Sequence, residues 1–312
     1  MNLPYLDAPV MTGALSWREV IDALALALGS TTFDDRRVSR VGVPVGKGEL
    51  LLMPSETASA VGVKVVGVAP GNPEHGLPRI QGVFILMDAR TLTPLALMDG
   101  TALTNIRTPG LSALAVREIA PPDAKRLVVF GSGPQARGHI AAVCSVRPIE
   151  SVRIVARDPR GVEVLIGELD GADLDVNAGT PADVADADIV VCATTARTAV
   201  FNGSLLAENA CVVAVGSHEA DARELDDTLF RRASLIVVED CETALREAGD
   251  VIQAIAAGAI DADSLIGLRS VLTSPPPTYG ISVFKSVGMA WQDLAVAEAI
   301  WAAVSRADGA SA

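Results

Sequence analysis

Three cations in the first half of the chain occupy settings where a cation is expensive. Lys64 lies in GVKVVGV, a glycine-flanked apolar segment whose period-two alternation sets the lysine on one face of a mostly hydrophobic strand. A buried ammonium is costly unless it is paired or its pKa falls. Such a lysine therefore serves as a ligand or an acid/base group, unless it snorkels from an edge strand. Arg40 sits in a strand with valines. Arg107 follows Asp99-Gly100-Thr101 at a helix start, where its charge and the free N–H groups both suit an anion. Together the three describe a grip on a carboxylate.

A second constellation begins with LVVFGSGPQARGH, residues 127–139, an apolar strand running into a glycine turn that opens a helix. Gly131, Gly133 and Ala136 fit the dinucleotide fingerprint: a tight turn, a close approach of pyrophosphate to the backbone, and close helix–strand packing. The next strand, VRIVARDP, ends at Ala156-Arg157. An NAD site carries an acid at this tip to bind the ribose 2′-hydroxyl, about 20 residues beyond the turn. The arginine would instead attract a 2′-phosphate, so NADP(H) is favoured and NAD(H) is possible. Asp158 could pair with Arg157 or take the ribose itself.

The elements that must position these groups fall into two styles. With 312 residues, half of them hydrophobic and 4% aromatic, the chain suits two domains with cores of Ala, Val, Leu and Ile. Ser16 and Glu19 form a capping box for a helix to about Leu28. Strands follow with short turns at Val38–Val45, Glu49–Met53, Val61–Val68, Gly82–Met87 and Leu95–Met98, predicting a largely antiparallel sheet. A helix spans Thr101–Ile119. From 127 onward strands alternate with helices: strands at Ser151–Ala156, Leu174–Ala178, Asp188–Ala193, Ala210–Val215, Leu235–Glu239 and Ile281–Phe284, an exposed helix at Ala222–Arg232, and a terminal helix at Ala290–Arg306. The expected fold is α/β: a Rossmann dinucleotide-binding domain over 120–289, and a mixed α+β substrate and dimerisation domain over 1–119 with 290–312.

A net charge of −13 and the lack of a basic run argue against a nucleic-acid partner. Cys144, Cys192, Cys211 and Cys241 form no C-x-x-C pair and read as reduced core thiols of a cytoplasmic protein. Three scattered histidines give no metal-ligand spacing, so no metal is expected. No signal-like or membrane-spanning run is present, so no membrane partner is expected.

The segments GVKVVGVAPGNPEHGLPRIQG, LMDGTALTNIRTPGLSALA, VVFGSGPQARGH, AVGSHEADARELD and FKSVGMAWQDLAVA, in that order over nearly the whole chain, resemble the ornithine cyclodeaminase/mu-crystallin family. The resemblance implies a homodimer in which the C-terminal helix completes the N-terminal domain. It places Arg40, Lys64 and Arg107 at substrate-binding and active-site positions, with Lys64 near the reacting Cα–N centre. It implies cofactor contacts from Pro134 and Gln135 at the phosphate turn, from Thr194 or Thr195, from Val215, Gly216, Ser217 and His218 beside the nicotinamide, and from Ser286 with Gly288. The chain also departs from the cyclodeaminases. His218 stands where they carry an aspartate, Ala222 where they carry a lysine, Ala156-Arg157 in place of an acidic tip, and Arg79 in place of a threonine.

These features point to a reductase of an α-imino acid, a cyclic ketimine such as Δ1-pyrroline-2-carboxylate or Δ1-piperideine-2-carboxylate. Lys64 would act at the imine nitrogen, and His218 either relays a proton or contacts the nicotinamide or ribose. The alternatives are an ornithine cyclodeaminase, an enzyme like alanine dehydrogenase, and an NADPH-dependent small-molecule binding protein like mu-crystallin.

Overall fold

The computed structural model describes residues 3–30, 40–171, 173–275 and 279–309. The chain forms two compact units, Met1–Thr108 with Met289–Ala312, and Pro109–Gly288. The division falls inside a helix that carries Pro109, which removes one helical hydrogen bond, rather than between residues 119 and 120.

The first unit contains β1 (Tyr5–Leu6), α1 (Ala8–Ala14), α2 (Trp17–Gly29), β2 (Val41–Val45), β3 (Gly48–Glu56), β4 (Ala60–Val68), β5 (Ile80–Asp88), β6 (Pro94–Asp99), the start of α3 (Gly100–Ile119) and the C-terminal α10 (Ala290–Gly309). The Ser16–Glu19 capping box opens α2. The sheet order is β1-β6-β5-β4-β3-β2, antiparallel from β2 to β6, with β1 parallel to β6. Short turns join β2 to β3, β3 to β4 and β5 to β6, as the spacing predicts, whereas the longer connection 69–79 joins β4 to β5. Along β4 the alternation is strict: Ala60, Gly62, Lys64 and Val66 are buried, while Val61, Val63 and Val65 are half-buried. The buried face is covered by α10, which also packs on α2 and β3.

Two sequence expectations need correction here. Arg40 precedes β2 rather than lying within it, and Val38 and Ser39 lie outside the described residues. Arg107 is not at a helix start. Asp99 accepts hydrogen bonds from the Thr101 and Ala102 N–H groups at 2.8 and 2.9 Å, so α3 starts earlier and Arg107 lies about two turns inside it.

The second unit contains β7 (Arg126–Phe130), α4 (Pro134–Cys144), β8 (Ser151–Val155), α5 (Pro159–Glu168), β9 (Asp175–Ala178), β10 (Ile189–Cys192), β11 (Cys211–Ala214), α6 (Asp227–Arg232), β12 (Ala233–Val238), α7 (Cys241–Glu247), α8 (Gly249–Ala256), β13 (Leu265–Gly267), α9 (Leu268–Thr273) and β14 (Ile281–Lys285). All of its strand pairings are parallel, in the order β13-β12-β14-β11-β10-β7-β8-β9. The central strands are apolar throughout, as a sheet covered on both faces requires. Chain order reverses between β7 and β10, and ligands of such sheets bind outside the carboxyl ends at this point.

The exposed helix expected over Ala222–Arg232 is a correction: only α6 is helical, and Ala222, Glu224 and Leu225 are buried in the loop before it. The N–H groups of Glu224 and Leu225 donate to Asp250, so they are withdrawn from any helix. At the other end of the unit, Arg147 is buried, and its guanidinium donates to the carbonyls of Val116, Arg117 and Ala120, which closes α3. All four cysteines are free; Cys192 and Cys211 are buried, and Cys144 and Cys241 half-buried. Among the described residues no helix is long and apolar enough to cross a membrane, and no group of three His, Cys, Asp or Glu could hold a metal ion.

Candidate active site

Lys64 stands on β4, an interior strand, and is 2% exposed, so it does not snorkel from a sheet edge. Its Nζ lies 2.6 Å from Asp293 Oδ2 on α10 and donates to Thr104 Oγ1 on α3 at 3.2 Å. Thr104 in turn donates to the Gly100 carbonyl, so its hydroxyl faces Lys64 with a lone pair. Arg107 is also buried; its Nε lies 3.3 Å from Asp293 Oδ1, and Nη1 donates to Gln292 Oε1 at 2.7 Å. Arg107 Nη2 has no partner among the described residues. Thus two buried cations share one buried carboxylate, leaving one net positive charge. Burial pulls the Lys64 ammonium down to about 8; Asp293 opposes the shift, and Arg107 and the nearby Arg40 add to it. An ammonium near pH 8 can both hold and release a proton at neutral pH.

In the second unit the residues predicted to bind cofactor all lie on the carboxyl edge of the sheet. The turn 131–136 follows β7, Arg157 follows β8, Thr194 and Thr195 follow β10, Val215 to His218 follow β11, and Ser286 follows β14. Gly131 adopts φ +117°, and a Cβ there would lie 2.6 Å from the Ala193 carbonyl oxygen. A Cβ at Gly133 would meet nothing within 4 Å, so the backbone is open to a close approach. Gly133 also caps α4 without a side-chain hydrogen bond, and Pro134 occupies the first turn. Ala136 is fully buried, as close helix–strand packing requires. An uncapped helix start beside an open glycine fits a dinucleotide pyrophosphate.

The helix behind this turn is fixed by His139. Its Nδ1–H donates to the Gln135 carbonyl at 2.7 Å, and Nε2 accepts from Ser112 at 2.9 Å; the carbonyl, an acceptor only, assigns the tautomer. Burial holds this imidazole down to about 4, so it is neutral. Arg157 is exposed at the tip of β8, and Asp158 caps α5 by accepting from the Arg160 N–H at 3.1 Å. His218 is exposed, whereas Ser217 is buried, with Oγ donating to the Ala222 carbonyl at 2.9 Å. Ser286 donates to Glu239 at 2.7 Å; Glu239 also accepts from the Val287 and Gly288 N–H groups, which shapes the loop after β14.

Two sets of residues escaped sequence reasoning. Gln292 and Asp293 belong to a segment quoted only for family resemblance, yet they hold Arg107 and Lys64. Glu224, Asp250 and Lys285 form a buried ionic network: Lys285 Nζ lies 2.9 Å from Asp250 Oδ2 and donates to the Ser217 carbonyl at 2.7 Å. Burial pushes the Glu224 carboxyl up, while Lys285 and the Thr194 donors pull it down. The available signal was the scarcity of lysine: Lys285, like Lys64, is one of four and lies in an apolar strand.

Compared with known proteins, residues 11–308 match the model of the ornithine cyclodeaminase/mu-crystallin family. The chain belongs to this family. Within the ornithine cyclodeaminase/mu-crystallin family, the Δ1-pyrroline-2-carboxylate reductase of Paracoccus denitrificans is 36% identical over 310 residues, covering 96% of this chain and 95% of that one. The ketimine reductase mu-crystallin of Rattus norvegicus is 32% identical over 268 residues, covering 84% and 83%. The solved structure of Thermococcus litoralis Δ1-pyrroline-2-carboxylate reductase, in complex with NADH and L-proline, matches with a TM-score of 0.87 at 30% identity over 98% of each chain.

Proposed function

We propose that the protein is an NAD(P)H-dependent reductase of a cyclic α-imino acid, Δ1-pyrroline-2-carboxylate or Δ1-piperideine-2-carboxylate, giving the L-amino acid. The observation that carries this reading is the buried Lys64–Arg107–Asp293 cluster, whose single positive charge matches one substrate carboxylate. The relatives named as Δ1-pyrroline-2-carboxylate and ketimine reductases support it.

Arg107 offers its unengaged Nη2 to the substrate carboxylate, with Arg40 as the second cation at that site. Lys64 gives a proton to the imine nitrogen. Asp293 and Thr104 hold Lys64 in place for that transfer, and Asp293 keeps enough of the ammonium charged for it. Nicotinamide, when bound in its reduced form, supplies the hydride that the imine carbon receives. Carbon thus gains hydride and nitrogen gains a proton, which completes the reduction of C=N. His218, exposed on the loop after β11, is assigned as the second proton-transfer group.

The same reading assigns NADP(H) over NAD(H), because Arg157 stands at the tip of β8 while Asp158 is committed to capping α5. Pro134, Gln135, Thr194, Thr195, Val215, Gly216 and Ser217 remain assigned to the cofactor, and Ser286 to the loop beside it. A homodimer is supported by the apolar face of the first unit's sheet that α10 leaves uncovered, where Val61, Val63 and Val65 of β4 lie beside Val83, Ile85 and Met87 of β5. A cytoplasmic location suits the four free cysteines.

The test is the loss of reduced-nicotinamide absorbance with five- and six-membered ketimines, using NADPH and NADH in turn. The expected result is cofactor oxidation only when a ketimine is supplied. Ammonia released from ornithine without net cofactor change would replace the reading with cyclodeamination. Tight ligand binding with no turnover on any ketimine would replace it with a binding protein.

A further inference from the structure

The second unit buries two carboxylates against one ammonium. Glu224 and Asp250 are both fully inaccessible, and Lys285 is the one cation paired with the network among the described residues. Asp250 also accepts from the Glu224 and Leu225 N–H groups, at 2.7 and 2.8 Å. Glu224 faces two backbone N–H groups and one hydroxyl. Its Oε1 accepts from the Thr194 N–H at 2.8 Å and from the Thr194 hydroxyl at 2.7 Å, and its Oε2 accepts from the Gly216 N–H at 2.7 Å. Two of these three partners are N–H groups that can only donate, and the Thr194 hydroxyl donates to the same carboxylate, so the geometry favours the ionised form. With both carboxylates charged, the network carries one net negative charge.

Its place in the fold gives that charge a use. Thr194 lies two residues beyond β10, and Gly216 lies two residues beyond β11, so both stand on the carboxyl edge near the reversal of strand order. Gly216 brings the backbone against the carboxylate: a Cβ there would lie 2.5 Å from Glu224 Oε1 and 2.1 Å from the Thr194 carbonyl oxygen. No side chain can stand between Glu224 and this stretch of edge.

We propose that Glu224 is a positioning residue that sets the preference between the two redox forms of the cofactor: through Thr194 and Gly216 it fixes a negative charge behind the nicotinamide-binding edge and so favours the positively charged, oxidised ring. The inference rests on the cofactor reading above. In the proposed reduction, two electrons and one hydrogen nucleus leave the dihydronicotinamide as hydride and reduce the imine carbon. The proton from Lys64 goes to nitrogen, and the ring is left oxidised with one positive charge. Glu224 therefore acts on the charge that develops as hydride departs, while the loop it holds receives the ring.

The experiment measures equilibrium dissociation constants of the full-length protein for NADPH by fluorescence, and for NADP+ by competition against it. In Glu224→Gln the ratio of the NADP+ constant to the NADPH constant should rise about tenfold over wild type, equivalent to about 1.4 kcal/mol. Should that variant fail to fold by circular dichroism, Asp250→Asn tests the same charge with the same expected sign. Thr194→Val removes a hydrogen bond but no charge; it should weaken both forms in proportion and leave the ratio unchanged. Equal weakening of both forms in Glu224→Gln would overturn the inference while the cofactor reading stands. A wild-type protein that binds neither form would overturn the cofactor reading and this inference together.

Discussion

The two units bury ionic clusters of the same size and opposite sign. In the first, Lys64 and Arg107 share Asp293; in the second, Lys285 pairs with Asp250, and Glu224 lies close enough to feel the same ammonium. Burying charge carries a desolvation cost, and an unbalanced cluster recovers less of it than a matched pair does. In the proposed reading each imbalance is answered by a ligand of the opposite charge: a substrate carboxylate for the first cluster, an oxidised nicotinamide for the second. The clusters differ in how they present charge. The first offers side-chain donors, a guanidinium edge and an ammonium that can make direct contact and transfer a proton. The second reaches the edge of the sheet through Thr194 and the backbone at Gly216, where it can set a field but cannot exchange protons with substrate. Chemistry is thus assigned to one unit and electrostatic bias to the other.

The sharpest way to break this division is Lys64→Met. If the first cluster carries the proton, kcat should fall about a thousandfold while the NADPH dissociation constant stays within about threefold. A variant with near-wild-type kcat would move the chemistry elsewhere, with His218 the next residue to substitute. Arg107→Met should raise the substrate KM by about thirtyfold, the loss expected for a charge-assisted hydrogen bond, and leave cofactor affinity unchanged. A substrate series with and without the carboxylate checks the assignment, because the variant should no longer discriminate between them.

Asp293→Asn sharpens the comparison through pH. With Lys64 at about 8, the protonated form prevails at pH 7 and is lost as pH rises through 8, so kcat/KM should decline on the alkaline side of the profile. Asp293 raises the Lys64 pKa; removing its charge should move that decline to lower pH by about one unit. Thermal unfolding should register the broken buried pair as a loss of about 3 kcal/mol. An alkaline limb that stays in place would separate it from Lys64. The smallest effect is expected at the exposed site. Arg157→Ala should weaken NADPH about tenfold and NADH less than twofold, measured by fluorescence titration. Equal losses would leave Arg157 as a surface residue.

Much of this arrangement could be read in the sequence where a local pattern carries it. The alternation around Lys64 needs only neighbours, and the glycine turn announces itself within a few residues of an apolar strand. The short turns of the first unit likewise declared its antiparallel order. What escaped depends on distant partners. Gln292 and Asp293 sit in an apolar helical segment, and nothing local says that α10 lies over β4 and delivers a carboxylate to Lys64. Glu224 reads as one of 38 acids in an acidic chain; the surrounding DARELDD looks like a solvated helix until Asp250 takes two of its N–H groups. Arg107 was misplaced because Asp99 is itself the cap, and helix starts depend on which side chain receives the first N–H groups.

The two fully buried thiols give the protein a built-in clock for its own opening. Cys192 lies at the carboxyl end of β10, in register with Ala214, and Cys211 lies at the opposite end of the neighbouring β11, in register with Ile189. Burial holds Cys211 up to about 11 and Cys192 well above its ordinary range, so neither thiol reacts readily while its end of the strand pair is closed. Alkylation of Cys192 ahead of Cys211 would report fraying confined to the cofactor edge, and simultaneous alkylation would report opening of the whole sheet. Slower labelling of Cys192 alone when a dinucleotide is added would then measure, without any enzymatic assay, how much a ligand tightens one end of a single pair of strands.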